Sequence, residues 1–191
     1  MPRSAWFVLP LAGALLLAGC AVPPKQAPAP PAPPTAPAPP PEAAPAAPPP
    51  GAMSDQQFVD LALSAGAMQI GIGRLAHGKA ASHAVRTLGA RLIAEYSYQN
   101  LRLTLLARHL KITPAPPLDK PPPELLITNG SDFDLEFLPI EVQALQQLGD
   151  LFEAAAGAGQ DPRIKYFAHE TVPVVQHQLR DVRAVELTAS R

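Results

Sequence analysis

From Ala21 to Ala52 the chain is almost entirely proline and alanine, with Lys25, Gln26, Thr35 and Glu42 among the few exceptions. Such a stretch cannot build a core. Proline has no amide donor, fixes φ and disfavours helix at the residue before it, so the segment is expected to sample polyproline II and stay solvated. At about 3.1 Å per residue it would reach on the order of 90 Å when fully extended. It reads as a spacer, with a PxxP ligand for a partner domain as the other use of such a composition. Whatever folds must lie after it.

The residues before the spacer read as an address. Arg3 is followed by a short apolar run, Ala5 to Gly19, which closes on Leu17-Ala18-Gly19-Cys20. A basic start, an apolar stretch and small residues before a cut make a secretory signal. The last four residues resemble the bacterial lipobox, and that resemblance implies cleavage by signal peptidase II and a diacylglyceryl group on Cys20. An ordinary signal peptide or an uncleaved single-span anchor is the alternative. However, the run is shorter than the ~20 residues of a spanning helix and has no stop-transfer charges. Cys20 is the only cysteine, which excludes an internal disulfide or a cysteine-based zinc site. Ala21, rather than Asp, follows it, which in a bacterium with two membranes implies the outer membrane, facing the periplasm. The expected division is a signal peptide over 1–19, the lipidated cysteine and linker over 20–53, and a folded domain over 54–191.

That domain reads as helical throughout. Ser54-Asp55-Gln56-Gln57 is a capping box, and Phe58, Leu61, Ala62, Ala65, Met68, Ile72 and Leu75 then recur at helical spacing. A second helix is expected from Ser82, with Val85, Leu88, Leu92, Tyr96, Leu103, Leu106 and Leu110 inward and Pro114 as its stop. A third runs from about Asp132 to Ala156 with Phe133, Phe137, Ile140, Leu145, Leu148, Phe152 and Ala155 on the core side and a kink or break at Pro139. The fourth opens on Asp161-Pro162 and carries Ile164, Phe167, Ala168, Val175, Val182 and Val185, bent at Pro173. Between the second and third lies a proline-rich connection, Thr113 to Gly130, too long for a tight hairpin. Four amphipathic helices with one long crossover predict an all-α, ferritin-like four-helix bundle, with a three-helix bundle and a loose fourth segment as the lesser alternative.

Several stretches carry a family resemblance that spans Gln57 to about Glu186. They are Phe58-Val59-Asp60-Leu61-Ala62, the run Ala67 to Ala76, Leu92-Ile93-Ala94-Glu95-Tyr96, Phe133-Asp134-Leu135-Glu136-Phe137, Leu151-Phe152-Glu153, and Asp161-Pro162-Arg163-Ile164-Lys165 leading to Thr171-Val172-Pro173. In order and spacing they resemble the bacterial domain of unknown function 4142. The resemblance implies a ferritin-like four-helix fold, often exported or lipid-anchored, with no established reaction. It also implies a polar set in the bundle: a Glu in the first helix, an Asp-His pair in the second, and a His in each of the third and fourth, types that could bind iron, manganese or zinc. This chain departs from that set. Gln69 stands at the first position, Glu95-Tyr96 at the pair, Leu145 at the third, and Gln178, with His177 one residue earlier, at the fourth.

No metal or other cofactor is therefore expected beyond the lipid on Cys20, and the weak metal candidates are Glu95, His169 and His177. His77 and His109 fall at helix C-termini, where an imidazolium suits the dipole, and His83 lies beside the start of the second helix. Gly66, Gly71 and Gly73 are expected to permit close helix approach. No nucleophile-base-orienter set, phosphate-cradling loop or H-E-x-x-H zinc helix is present, so no catalytic residue is assigned. With a net charge of −1 and no basic stripe interleaved with aromatics, nucleic acid is not an expected partner. The expected role is an envelope lipoprotein, held to the membrane by its lipid, whose non-enzymatic bundle binds a periplasmic protein, a cell-wall component or a small ligand. The alternative is a ferritin-like metal-binding protein in oxidative or envelope stress protection. Self-association through an apolar helix face is a third possibility, and the oligomeric state is open.

Overall fold

Three of the five helices start at a side chain that satisfies an orphan backbone amide. The computed structural model describes residues 53–117 and 120–189, so Cys20, the leader and the Pro/Ala spacer lie outside the described residues. Five helices follow in order: α1 (Asp55–Lys79), α2 (His83–His109), α3 (Pro123–Ile127), α4 (Gly130–Ala158) and α5 (Pro162–Ala189). Before α1 the expected capping box is formed, with the Gln57 amide donating to Ser54 Oγ at 3.2 Å and the Ser54 amide donating to Gln57 Oε1 at 2.9 Å. Ser82 Oγ accepts from the Val85 amide at 3.1 Å, and Asp161 accepts from the Arg163 amide at 2.8 Å just ahead of Pro162.

The five residues of α3, within the proline-rich connection, have no counterpart in the sequence reading. Lys79 holds this turn in place, its Nζ donating to the carbonyls of Leu125, Leu126 and Thr128 at 3.1, 2.7 and 3.2 Å. A break at Pro139 does not occur, because α4 continues through it, as α5 continues through Pro173. Both prolines are exposed, and the residues one turn earlier, Leu135 and His169, are exposed too. The carbonyls that lose their intrahelical partner therefore face water, where the cost is lowest.

The core is one cluster in which Phe58, Phe152 and Phe167 meet at one end and Phe133 stacks on Phe137 towards the other. One member of the expected α1 stripe is misplaced, since Leu61 is 53% exposed. The buried face of α1 runs instead through Phe58, Val59, Ala62, Gly66, Gln69, Ile72, Gly73 and Ala76. Small residues on that face let a neighbour approach. A Cβ on Gly73 would stand 2.7 Å from the Gly89 carbonyl oxygen of α2, and one on Gly89 would stand 2.6 Å from that of Gly73. Gly66 makes room for Asn100, whose amide donates to the Leu63 carbonyl at 3.3 Å. Gly71 faces Pro121 of the connection rather than another helix.

Hydrogen bonds at the two ends of the bundle fix its topology. At one end Asp134, early in α4, accepts from the amides of Ala81 and Ser82 at 3.2 and 2.8 Å, between α1 and α2. At the other, Asp55 at the start of α1 accepts from the amides of Gln160 and Asp161 at 2.9 and 2.8 Å, between α4 and α5. Thus α4 runs parallel to α2, and α5 parallel to α1. This is the up-down-down-up order that one long crossover produces. The crossover lies along α1, tied by the Ala115 amide to Asp60 at 2.7 Å and by Lys79 to α3. Roughly a dozen residues separate α2 from α3, and their extended length of about 40 Å matches the ~37 Å of a 25-residue α1.

Candidate functional site

Near the middle of the four long helices the core changes from hydrocarbon to polar side chains. Gln69 of α1, Tyr96 and Gln99 of α2, Glu141 of α4 and Gln178 of α5 are all buried, Glu141 completely. Glu141 reaches the interior because it lies on the line Phe133, Phe137, Leu145, which advances about one turn at a time. Tyr96 Oη donates to Gln178 Oε1 at 2.7 Å, and Gln178 Nε2 donates to Glu95 Oε2 at 2.7 Å. A short relay therefore runs from the core to the half-buried Glu95 at the α2/α5 surface.

The α1/α4 half of this layer is not closed in the same way. Gln69 Oε1, Gln99 Oε1 and both oxygens of Glu141 are buried without a hydrogen-bond partner among the described residues. Burial pushes the Glu141 carboxyl up from 4.5 to about 8, with Gln69 nearby drawing it the other way. Desolvation dominates, so this acid is protonated at neutral pH. Tyr96 is raised well above the ordinary phenol value by burial first, then by Glu141 and Glu95, and stays a hydrogen-bond donor. The layer is thus uncharged at its centre, an arrangement of amides, a phenol and a neutral acid that orients hydrogen bonds rather than balancing a cation.

Of the positions that the family resemblance singles out, Gln69, Tyr96 and Gln178 are in the layer and Leu145 is buried one turn beyond Glu141, while Glu95, the other member of the second-helix pair, is half-buried at the α2/α5 surface. The weak metal candidates are only partly brought together. Glu95 and His177 border the same two hollows between α2 and α5, one of about 270 Å³ shared with Arg91 and Asp181, the other of about 480 Å³ beside Tyr98. His169 borders neither and is exposed. His177 is exposed as well, its Nε2 3.6 Å from Asp181, whose carboxylate already accepts from Arg91 at 2.9 Å. Among the described residues no three His, Cys, Asp or Glu side chains are grouped so as to hold a metal ion. His77 and His109 sit exposed in the last turns of α1 and α2, and His83 opens α2.

The sequence reading missed Glu141. The signal was its spacing, since it fills the gap between Phe137 and Leu145 in an otherwise apolar stripe. The same spacing identifies Gln99, between Tyr96 and Leu103.

Comparison with known proteins agrees with this architecture. The family model described as "Domain of unknown function (DUF4142)" matches residues 40–185. No curated protein matches the chain. Among solved structures, CopM in the Cu(I)-bound form is similar in fold, with a TM-score of 0.63 and 14% sequence identity, over 71% of this chain and 97% of that one.

Proposed function

The chain belongs to the DUF4142 family, and from that premise we propose that it is an envelope lipoprotein, anchored through Cys20 to the outer membrane and facing the periplasm, whose non-catalytic bundle binds a periplasmic protein, a cell-wall component or a small ligand. The observation that carries the binding-module reading is the make-up of the buried layer. A bundle that holds iron or manganese converges carboxylates and imidazoles on its axis. Here the inward positions are amides, a phenol, an aliphatic side chain and one neutral acid. The anchor rests on Leu17-Ala18-Gly19-Cys20, and the reach on the Pro/Ala spacer that follows.

A second reading, metal binding in oxidative or envelope stress protection, draws on the fold shared with CopM, which was solved with Cu(I). Cu(I) favours thioether, thiolate and imidazole ligands. Of the described methionines, Met53 and Met68 are separated by about 22 Å along the axis of α1, and the five histidines are exposed. The donor set therefore favours the first reading.

The test uses the full chain expressed in a bacterium with two membranes. The expected result is a membrane-bound protein with a diacylglyceryl mass on its N-terminal fragment, displaced from the membrane by Cys20→Ala, and no stoichiometric metal after purification without chelator. A Cys20→Ala variant that fractionates like the parent would refute the anchor. Stoichiometric iron, manganese, zinc or copper that disappears with Glu95→Gln or Glu141→Gln would replace the binding module by the metalloprotein.

A further inference from the structure

We infer that the seam between α1 and α4 is opened by loss of a proton: with Glu141 protonated the two helices are closed at mid-length, and once that proton leaves they part there, while the α2/α5 seam and both ends of the bundle stay shut. This device is independent of what the bundle binds and of how it is anchored.

The two seams that join the α1/α2 hairpin to the α4/α5 hairpin are held in different ways. Along α2/α5, Arg91 donates to Asp181 at 2.9 Å, Tyr96 to Gln178 at 2.7 Å, Gln178 to Glu95 at 2.7 Å and Arg102 to Glu170 at 3.1 Å. These bonds are spread over about three turns of α2, and none of them uses the Glu141 proton. Along α1/α4 the ties through Asp55 and Asp134 lie at the two ends. Between those ends the small side chains of Ala65 and Ala144 face a groove of about 380 Å³. The polar layer reaches this seam as Gln69, which lines the groove and adjoins Glu141.

The proton decides whether that pair attracts or repels. Gln69 Oε1 and both oxygens of Glu141 are acceptors buried without a donor. A hydroxyl on Glu141 is the donor they lack, given across the seam to Gln69. Without it Glu141 is a buried charge. Around it stand the amide of Gln69 from α1, the phenol of Tyr96 from α2 and, bonded to that phenol, the amide of Gln178 from α5, with the carboxylate of Glu95 beyond them. No basic side chain among the described residues acts on it. Water relieves an uncompensated buried carboxylate, and the groove admits it beside Gln69. Parting the helices there breaks none of the bonds at the ends or along α2/α5. Burial moves the ionisation of Glu141 from 4.5 to about 8, so the closed seam is the neutral-pH form and the open seam belongs to mild alkali.

The test is carboxyl and methyl NMR on the full chain from about pH 6 to about pH 9.5, with a soluble paramagnetic agent to read solvent access. The Glu141 carboxyl resonance follows the proton. Met68 and Leu148 methyls report the α1/α4 seam, and those of Leu92 and Val182, which border a hollow between α2 and α5, serve as the reference. The expected result is a rise in paramagnetic relaxation at Met68 and Leu148 that shares its midpoint with the Glu141 titration, with Leu92 and Val182 unmoved and helical circular dichroism retained. Glu141→Gln keeps Met68 and Leu148 shielded throughout, and so does Glu141→Leu, which fills the position with an apolar side chain. No titration of Glu141 in this range would overturn the inference, as would ionisation that leaves Met68 and Leu148 unmoved, exposes all four methyls together or melts the helices. Exposure of Met68 and Leu148 in either variant would overturn the role of Glu141.

Discussion

Glu141 couples the interior of the bundle to pH. In the unfolded chain its carboxyl ionises near 4.5, and burial moves this to about 8 in the folded protein. Between those values the folded state holds a proton that the unfolded state has released. The stability linked to this group is complete below about pH 4.5 and declines as pH rises, by up to about 1.4 kcal/mol per unit, until the group ionises in the folded state near 8. Asp161, held low chiefly by Arg163, and Glu170, held low chiefly by Tyr166, act in the opposite sense and in acid, below the carboxylate range. Melting curves between about pH 5 and 9 should therefore show a fall in midpoint that Glu141→Gln flattens. An unchanged slope in the variant would mean that Glu141 is not the group responsible. The residue was hidden from a hydropathy reading because its type says surface while its spacing says core. Only the spacing was right.

At the level of elements, the starts of α1, α2 and α5 were legible because Ser54, Ser82 and Asp161 are local devices: each cap closes within three residues of sequence. The inward face of α1 was less legible. Its true core line includes Gly66, Gln69 and Gly73, which carry little or no hydrophobic signal, so the neighbouring Leu61 seemed to belong to it. What replaces side-chain bulk on that line is proximity, which predicts opposite outcomes for two glycines. Gly89→Ala would drive a Cβ into the Gly73 carbonyl and the backbone of His77, and should cost about 1–3 kcal/mol in denaturant unfolding. Gly78→Ala, with open space around it near the end of α1, should be neutral or stabilise by up to about 1 kcal/mol. Equal effects at both sites would show that the α1/α2 approach is not close. The short α3 escaped notice because its five residues are too few for a periodic signal, and Lys79, which holds it, is distant in sequence.

For the molecule as a whole, the proline-rich connection decides which helices can be neighbours. Its extended length only just spans the bundle, and stiff proline segments have little slack to give. Deleting residues 114–117 should leave about 30 Å for a crossing of about 37 Å. The α1/α2 and α4/α5 hairpins of one chain could then no longer pair with each other in the same arrangement. The expected outcome is exchange of hairpins between two chains, read as a dimer by light scattering with the helical content retained. A monomer with the parent's melting temperature would show that the crossover has slack. The existence of a crossover could be read from the length and composition of the segment, but its path along α1, over Gly71 and between Asp60 and Lys79, depends on contacts that no local pattern encodes.

The parallel arrangement of α1 and α5 also has a mechanical side. Because these two helices run in the same direction, Met53 and Ala189 lie at opposite ends of the bundle, separated by nearly its full length. A pull between them is directed along the helix axes. It loads the seams between helices in shear, sliding many side chains at once, rather than peeling one helix away turn by turn. A bundle loaded through Met53 and Ala189 would be strained along its strong direction.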